Sequence, residues 1–235
     1  MNYFFSFEAA QKKTAFDARA KGTLRMLCLT GSLALMVLNA GCNSVERSRD
    51  LSDQNVPSHV MAQQVCASCH GMNGTATSPI FPNLAGQQKE YLVGQLKSYR
   101  SHNRSDPAGF EYMWGLSAHL TDDQINGLAD YFSLKQPLQG QATDTTRFNK
   151  GKNIYENGIS ASNTPACTGC HGAVAQGNGQ FPRLAGQHAD YLIKQLEVFQ
   201  RSDQRPEGAV MKTIAHGLTS ENIKDVSFYL QGMQL

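Results

Sequence analysis

The 235-residue sequence predicts an all-α protein built as a tandem duplication of one small helical domain. Three observations support this: a self-similar second half, apolar residues at helical intervals in both halves, and no alternating strand pattern. The repeat can be read directly. Cys66-Ala-Ser-Cys69-His70-Gly71 returns as Cys167-Thr-Gly-Cys170-His171-Gly172, and Phe81-Pro82-Asn83-Leu84-Ala85-Gly86-Gln87 returns as Phe181-Pro182-Arg183-Leu184-Ala185-Gly186-Gln187. Tyr91-Leu92 and Gln95-Leu96 match Tyr191-Leu192 and Gln195-Leu196, Met113 matches Met211, and Tyr131 matches Tyr229. The offset drifts only from 101 to 98, so the unit is a domain of about 80 to 95 residues.

Each element has its own local reason. Residues 88–100 carry Tyr91, Leu92, Gln95, Leu96 and Tyr99 at helical spacing, and 190–199 repeat it. A later helix starts after Thr121, whose spacing to Gln124 fits a capping box, with Ile125, Leu128, Ala129 and Phe132 on one face. Residues 219–229 follow the same plan, with Asn222 only approximating the box. The first domain has room for a short leading helix from about Ser58 into Cys66; the second has a longer approach, helical over 151–157 and then a loop through Pro165. Residues 133–146 are polar and broken by Pro137 and Gly140, which reads as a linker. The expected layout is a leader over 1–42, a short linker over 43–57, domains over 58–135 and 147–235, and a linker over 136–146.

The leader reads as an export signal. Lys12, Lys13, Arg19, Lys21 and Arg25 precede an uncharged apolar run over 26–38, too short to span a bilayer comfortably and suited to a signal-peptide core. The run ends in Leu38-Asn39-Ala40-Gly41-Cys42, which resembles a lipoprotein acylation box except at Asn39, making Cys42 a candidate for membrane attachment. Once the five Lys/Arg and two Asp/Glu of 1–42 are set aside, 16 cations face 17 carboxylates. A near-neutral chain of this kind has no electrostatic footprint for nucleic acid.

The cysteines point to the chemistry. Of six, Cys28 lies in the leader and Cys42 in the acylation box; the other four form two Cys-x-x-Cys pairs, leaving none for disulfides in an exported protein. Thiols at i and i+3 on a helical turn share a face with the His at i+4, so they can meet the two vinyl groups of a porphyrin while the imidazole reaches the iron. Cys-x-x-Cys-His is therefore a covalent haem c attachment site, and about 0.005 copies are expected by chance at this composition. A zinc site would need four converging donors where each domain offers three, and a thioredoxin-like pair would need a βαβ context. His59, His102, His119, His188 and His216 do not recur between the copies. The sixth iron ligand is expected to be Met113 in one half and Met211 in the other, 43 and 40 residues after their histidines. A thioether stabilises ferrous iron. Met61 and Met233 read as core filler, and Met72 lies too close to His70 to reach the opposite haem face.

On these motifs the chain resembles the cytochrome c4 family, dihaem proteins made of two class I cytochrome c domains, over residues 58–235. The resemblance implies His/Met ligation at both irons (His70 with Met113, His171 with Met211) and haems facing each other across the domain interface. It also implies carbonyls of Pro82 and Pro182 that accept from the ring N–H groups of His70 and His171. The implied role is electron transfer in the periplasm from a cytochrome bc1-type complex toward a terminal oxidase. With both irons six-coordinate no catalytic residue is expected. The rival readings are a cytochrome subunit of a dehydrogenase, oxidase or reductase complex, a dihaem peroxidase, and a gas-sensing haem protein.

Overall fold

The computed structural model describes residues 49–142 and 144–234. The leader, Cys28 and Cys42 lie outside the described residues. Residues from Arg49 onward form one compact body. Among the described residues there is no strand, and only two isolated bridges form, Ile159 with Thr164 and Asn178 with Phe181. In the first half, α1 (Ser58–Met61), a π turn (Ala62–Cys66) and α2 (Ala67–His70) run almost without a break into the haem motif. They are followed by α3 (Lys89–Arg100), a second π turn (Gly109–Met113) leading into α4 (Trp114–Ser117), and α5 (Asp122–Ser133). The second half contains α6 (Thr145–Asn157), α7 (Thr168–His171), α8 (Ala189–Arg201), α9 (Ala209–His216) and α10 (Ser220–Gly232).

The caps explain where these helices start. Thr121 Oγ1 accepts from Gln124 N–H (3.1 Å), and Thr121 N–H donates to Gln124 Oε1 (3.0 Å). Thr219 and Asn222 close the same reciprocal box at 3.2 and 3.0 Å. The shorter Asn side chain thus completes a motif the sequence only approximates. The larger departure is α6, which begins at Thr145 rather than near 151. Asp144 Oδ1 accepts from the N–H groups of Thr146 (2.9 Å) and Arg147 (3.0 Å), so an N-cap starts the helix inside a polar stretch that carries no apolar stripe.

Each half has its own core. Val56, Met61, Leu92, Ile125, Leu128 and Phe132 pack together in the first; Ile154, Tyr155, Leu192, Ile223, Val226 and Leu230 do so in the second. In both halves the leading helix crosses the last one at a glycine, but the glycine sits on opposite partners. A Cβ at Gly127 of α5 would lie 2.3 Å from Ser58 Oγ of α1, whereas a Cβ at Gly151 of α6 would lie 2.0 Å from the Asp225 carbonyl oxygen of α10. After each haem motif, Gly71 (φ 75°) and Gly172 (φ 84°) leave the helix through the left-handed region that a side chain disfavours.

The halves are joined by a polar seam with approximate twofold symmetry. Asn83 N–H donates to Gln187 Oε1 (2.8 Å) and Gln187 Nε2 donates back to the Asn83 carbonyl (2.9 Å). Arg183 and Gln87 mirror this at 2.7 and 3.0 Å. Deeper in, Arg104 pairs with Asp106 (2.9 Å) and donates to Gln195 (3.1 Å) across the seam. Arg205 pairs with Glu207 (3.2 Å) and donates to Gln95 (3.0 Å) and Tyr91 (3.2 Å). Only 2% of the Arg104 side chain and none of the Asp106 side chain is exposed.

Candidate functional site

The repeated segments converge on one cavity of about 730 Å³ running through both halves. Cys66, Cys69, His70 and Met113 open onto it from the first half; Cys167, Cys170, His171 and Met211 open onto it from the second. Its walls are largely apolar, with Leu92, Leu128 and Phe132 on one side and Leu192, Val226 and Leu230 on the other. The two thioethers arrive on different backbones. Met113 ends the π turn before α4, where its carbonyl accepts from Ser117 Oγ (2.7 Å), while Met211 lies in the first turn of the continuous helix α9.

The imidazoles are held identically. His70 Nδ1–H donates to the Pro82 carbonyl (3.0 Å) and His171 Nδ1–H to the Pro182 carbonyl (2.9 Å). The Phe81 and Phe181 rings stand edge-on to them at 6.2 and 6.3 Å. Burial lowers both histidine pKa values, and the carbonyl bond only partly opposes it, so the rings are neutral. With Nδ1 carrying the proton, the lone pair of Nε2 is left for a metal. The four cysteines are free of disulfides. Burial pushes the Cys66 and Cys167 thiols up to about 11, so they are held as thiols rather than the thiolates a redox pair uses. Among the described residues no group of three or more His, Cys, Asp or Glu converges as a cation site. Two thiols, one neutral imidazole and one thioether per half, facing an apolar cavity, suit a porphyrin in each.

The other candidates fall elsewhere. Met61 and Met233 are buried in the two cores and Met72 is exposed. His59, His102, His119, His188 and His216 do not line the cavity; His188 donates across the seam to the Ala76 carbonyl (3.0 Å) and His102 stacks on Trp114 at 4.2 Å. The sequence reading missed the seam residues Gln87, Gln187, Arg104, Arg183 and Arg205. Some signal was there: Arg104-Ser-Asp106 returns as Arg205-Pro-Glu207, and Gln95 and Gln195 place a repeated amide on a helix face that is otherwise apolar.

A duplicated helical domain with this donor set is the architecture of a dihaem c-type cytochrome. Comparison with known proteins agrees. The cytochrome c domain family matches residues 58–133 and 148–234. Cytochrome c-552 of Acidithiobacillus ferridurans is 38% identical over 190 residues, covering 80% of this chain and 82% of that protein. Cytochrome c4 of Azotobacter vinelandii is 36% identical, covering 72% and 84%. The solved cytochrome c4 structure from Acidithiobacillus ferrooxidans is 40% identical with a TM-score of 0.67, covering 72% of this chain and 98% of that one. A protein of Stutzerimonas stutzeri named thiosulfate dehydrogenase electron acceptor is 30% identical, covering 72% and 78%. The chain belongs to the cytochrome c4 family. It carries two covalently bound haem c groups and is an electron carrier, not an enzyme.

Proposed function

We propose that this chain is a periplasmic carrier that moves single electrons from a cytochrome bc1-type donor toward a terminal-oxidase-type acceptor. In this reading Cys66 and Cys69 hold one haem through thioether bonds, and Cys167 and Cys170 hold the other. His70 with Met113 and His171 with Met211 would hold the two irons. The reading is carried by one observation: the same imidazole and thioether pairing opens onto the cavity from both halves. The bound haem supplies a one-electron iron couple. The chain's own residues set its conditions. Pro82 and Pro182 orient the rings, the apolar walls keep water from the iron, and two protein ligands per iron leave no position for a substrate. Loss of that exclusion is what a peroxidase or gas sensor would require.

An optical spectrum recorded during redox titration of the purified holoprotein tests the ligand assignment. Two haems per chain and the weak long-wavelength band of Met-ligated ferric haem are expected; a high-spin resting spectrum that binds carbon monoxide readily at neutral pH counts against it. Reduction by a purified bc1-type complex and oxidation by a terminal oxidase test the partners. The relative named thiosulfate dehydrogenase electron acceptor favours a second reading, a dedicated cytochrome partner of a dehydrogenase. Co-purification with a dehydrogenase from detergent-solubilised membranes supports that reading, whereas a shuttle comes away alone. No described helix is long and apolar enough to cross a membrane. Acylation of Cys42 would attach the protein to a membrane, and mass spectrometry of the mature N-terminus detects it.

A further inference from the structure

Arg104, Arg183 and Arg205 all line the cavity. Two of them are fully provided for. Arg104 donates to Asp106, Gln95 and Gln195, and Arg205 to Glu207, Gln195, Gln95 and Tyr91. Arg183 is different. Its backbone is fixed by Gln87, but its Nε and Nη2 are buried with no hydrogen-bond partner, and its guanidinium makes no ion pair among the described residues. Burial weighs against its charged form. A guanidinium does not escape that penalty by losing its proton, so an anion brought into the cavity would be drawn to it. The equivalent residue of the first half, Asn83, is neutral and satisfied: Oδ1 accepts from Ala76 N–H (2.9 Å) and Nδ2 donates to the Gly186 carbonyl (2.9 Å).

The anions that maturation brings into this cavity are the carboxylates of the haem groups. We propose that Arg183 binds a haem carboxylate at the seam and that, with Asn83 in the matching place, this unpaired repeat position makes the two iron potentials unequal. A guanidinium and a carboxylate make a short, charge-assisted pair, which is strong where water is scarce. The asymmetry follows from charge. Ferric iron carries one more positive charge than ferrous iron, so a cation held near one haem favours its reduced form and raises its potential. This inference goes beyond the proposed role and is independent of which complexes donate and accept electrons.

The test compares holoprotein with R183N, both matured with haem. Pyridine haemochrome assay confirms two haems per chain, and an optical redox titration in mildly alkaline buffer is fitted to two one-electron waves. One midpoint is expected to fall by about tenfold in the ratio of reduced to oxidised form, about 59 mV for a one-electron couple, while the other moves far less. R183K, which keeps the charge, is expected to restore most of the shift. Unchanged midpoints, equal movement of both, or an R183K that behaves like R183N overturns the proposal. Where R183N does not retain both haems, R183Q against R183K gives the same comparison at nearly constant side-chain length. Loss of the Met-ligated band concerns the axial ligands instead, so the two readings fail separately.

Discussion

Asp106 is the acid whose loss should harm this protein most away from the haem motifs. It is wholly buried, and its carboxylate accepts from Arg104 Nε (2.9 Å), Arg104 Nη2 (3.3 Å) and Gln195 Nε2 (3.1 Å). D106N keeps the shape but removes the charge and turns one acceptor into a donor facing other donors. Arg104 is then a buried cation without a counterion, a change that costs about 3 to 5 kcal/mol. The surface pair Lys152–Glu156 is the control: both side chains are exposed and the N···O separation is 3.9 Å, so E156Q should cost at most about 0.5 kcal/mol. The assay is urea denaturation of the holoprotein followed by far-UV circular dichroism. Because Gln195 belongs to the other half, D106N should also split the unfolding of the two halves into separate transitions. A loss below about 1 kcal/mol, comparable to E156Q, would refute the idea that the seam depends on this pair. The pH dependence has a definite sign. Burial opposes ionisation of Asp106, but the charge and hydrogen bonds of Arg104, with that of Gln195, hold its pKa below the ordinary value. Its stabilisation is therefore fully present above the unfolded-state pKa of about 3.9 and is lost only as pH falls through the lowered folded value.

Other outcomes follow from the same geometry. M113L should retain two haems by pyridine haemochrome, lose half of the Met-ligated absorption band and lower one midpoint potential, because leucine gives the iron no thioether. C66A/C69A should carry one haem per chain, read by intact-protein mass, since the second motif still has both thiols. G151A should lower the thermal midpoint by the equivalent of about 1 to 3 kcal/mol, because its Cβ would strike the Asp225 carbonyl; G115A, whose Cβ meets nothing within 4 Å, should be neutral or mildly stabilising. T219A should cost about 1 kcal/mol in denaturant titration through loss of the cap on α10.

What the sequence could show was governed by how local each interaction is. The haem motifs place their donors within one helical turn, and the caps at Thr121 and Thr219 close over three residues, so spacing alone exposes them. The start of α6 was hidden because its signal is one capping Asp144 ahead of turns with no apolar stripe. The seam was harder still: Asn83 and Gln187 meet across 104 positions, and Arg205 and Gln95 across 110. In a single sequence a glutamine among apolar helix positions looks like a tolerated surface residue; only the fold shows Gln95 and Gln195 buried between two arginines. Duplication makes the reason intelligible. Two copies of one domain bring the same face to a twofold seam, so any charge there meets its own copy. The coulombic effect of Arg104 on Arg205 is indeed repulsive, and each arginine carries its own acid two residues on, Asp106 and Glu207, which neutralises the pair. Where the copies have diverged, as at Asn83 and Arg183, that internal neutralisation is missing. There the symmetry of the fold gives way to a difference in charge, and so to a physical basis for two unequal haems in one chain.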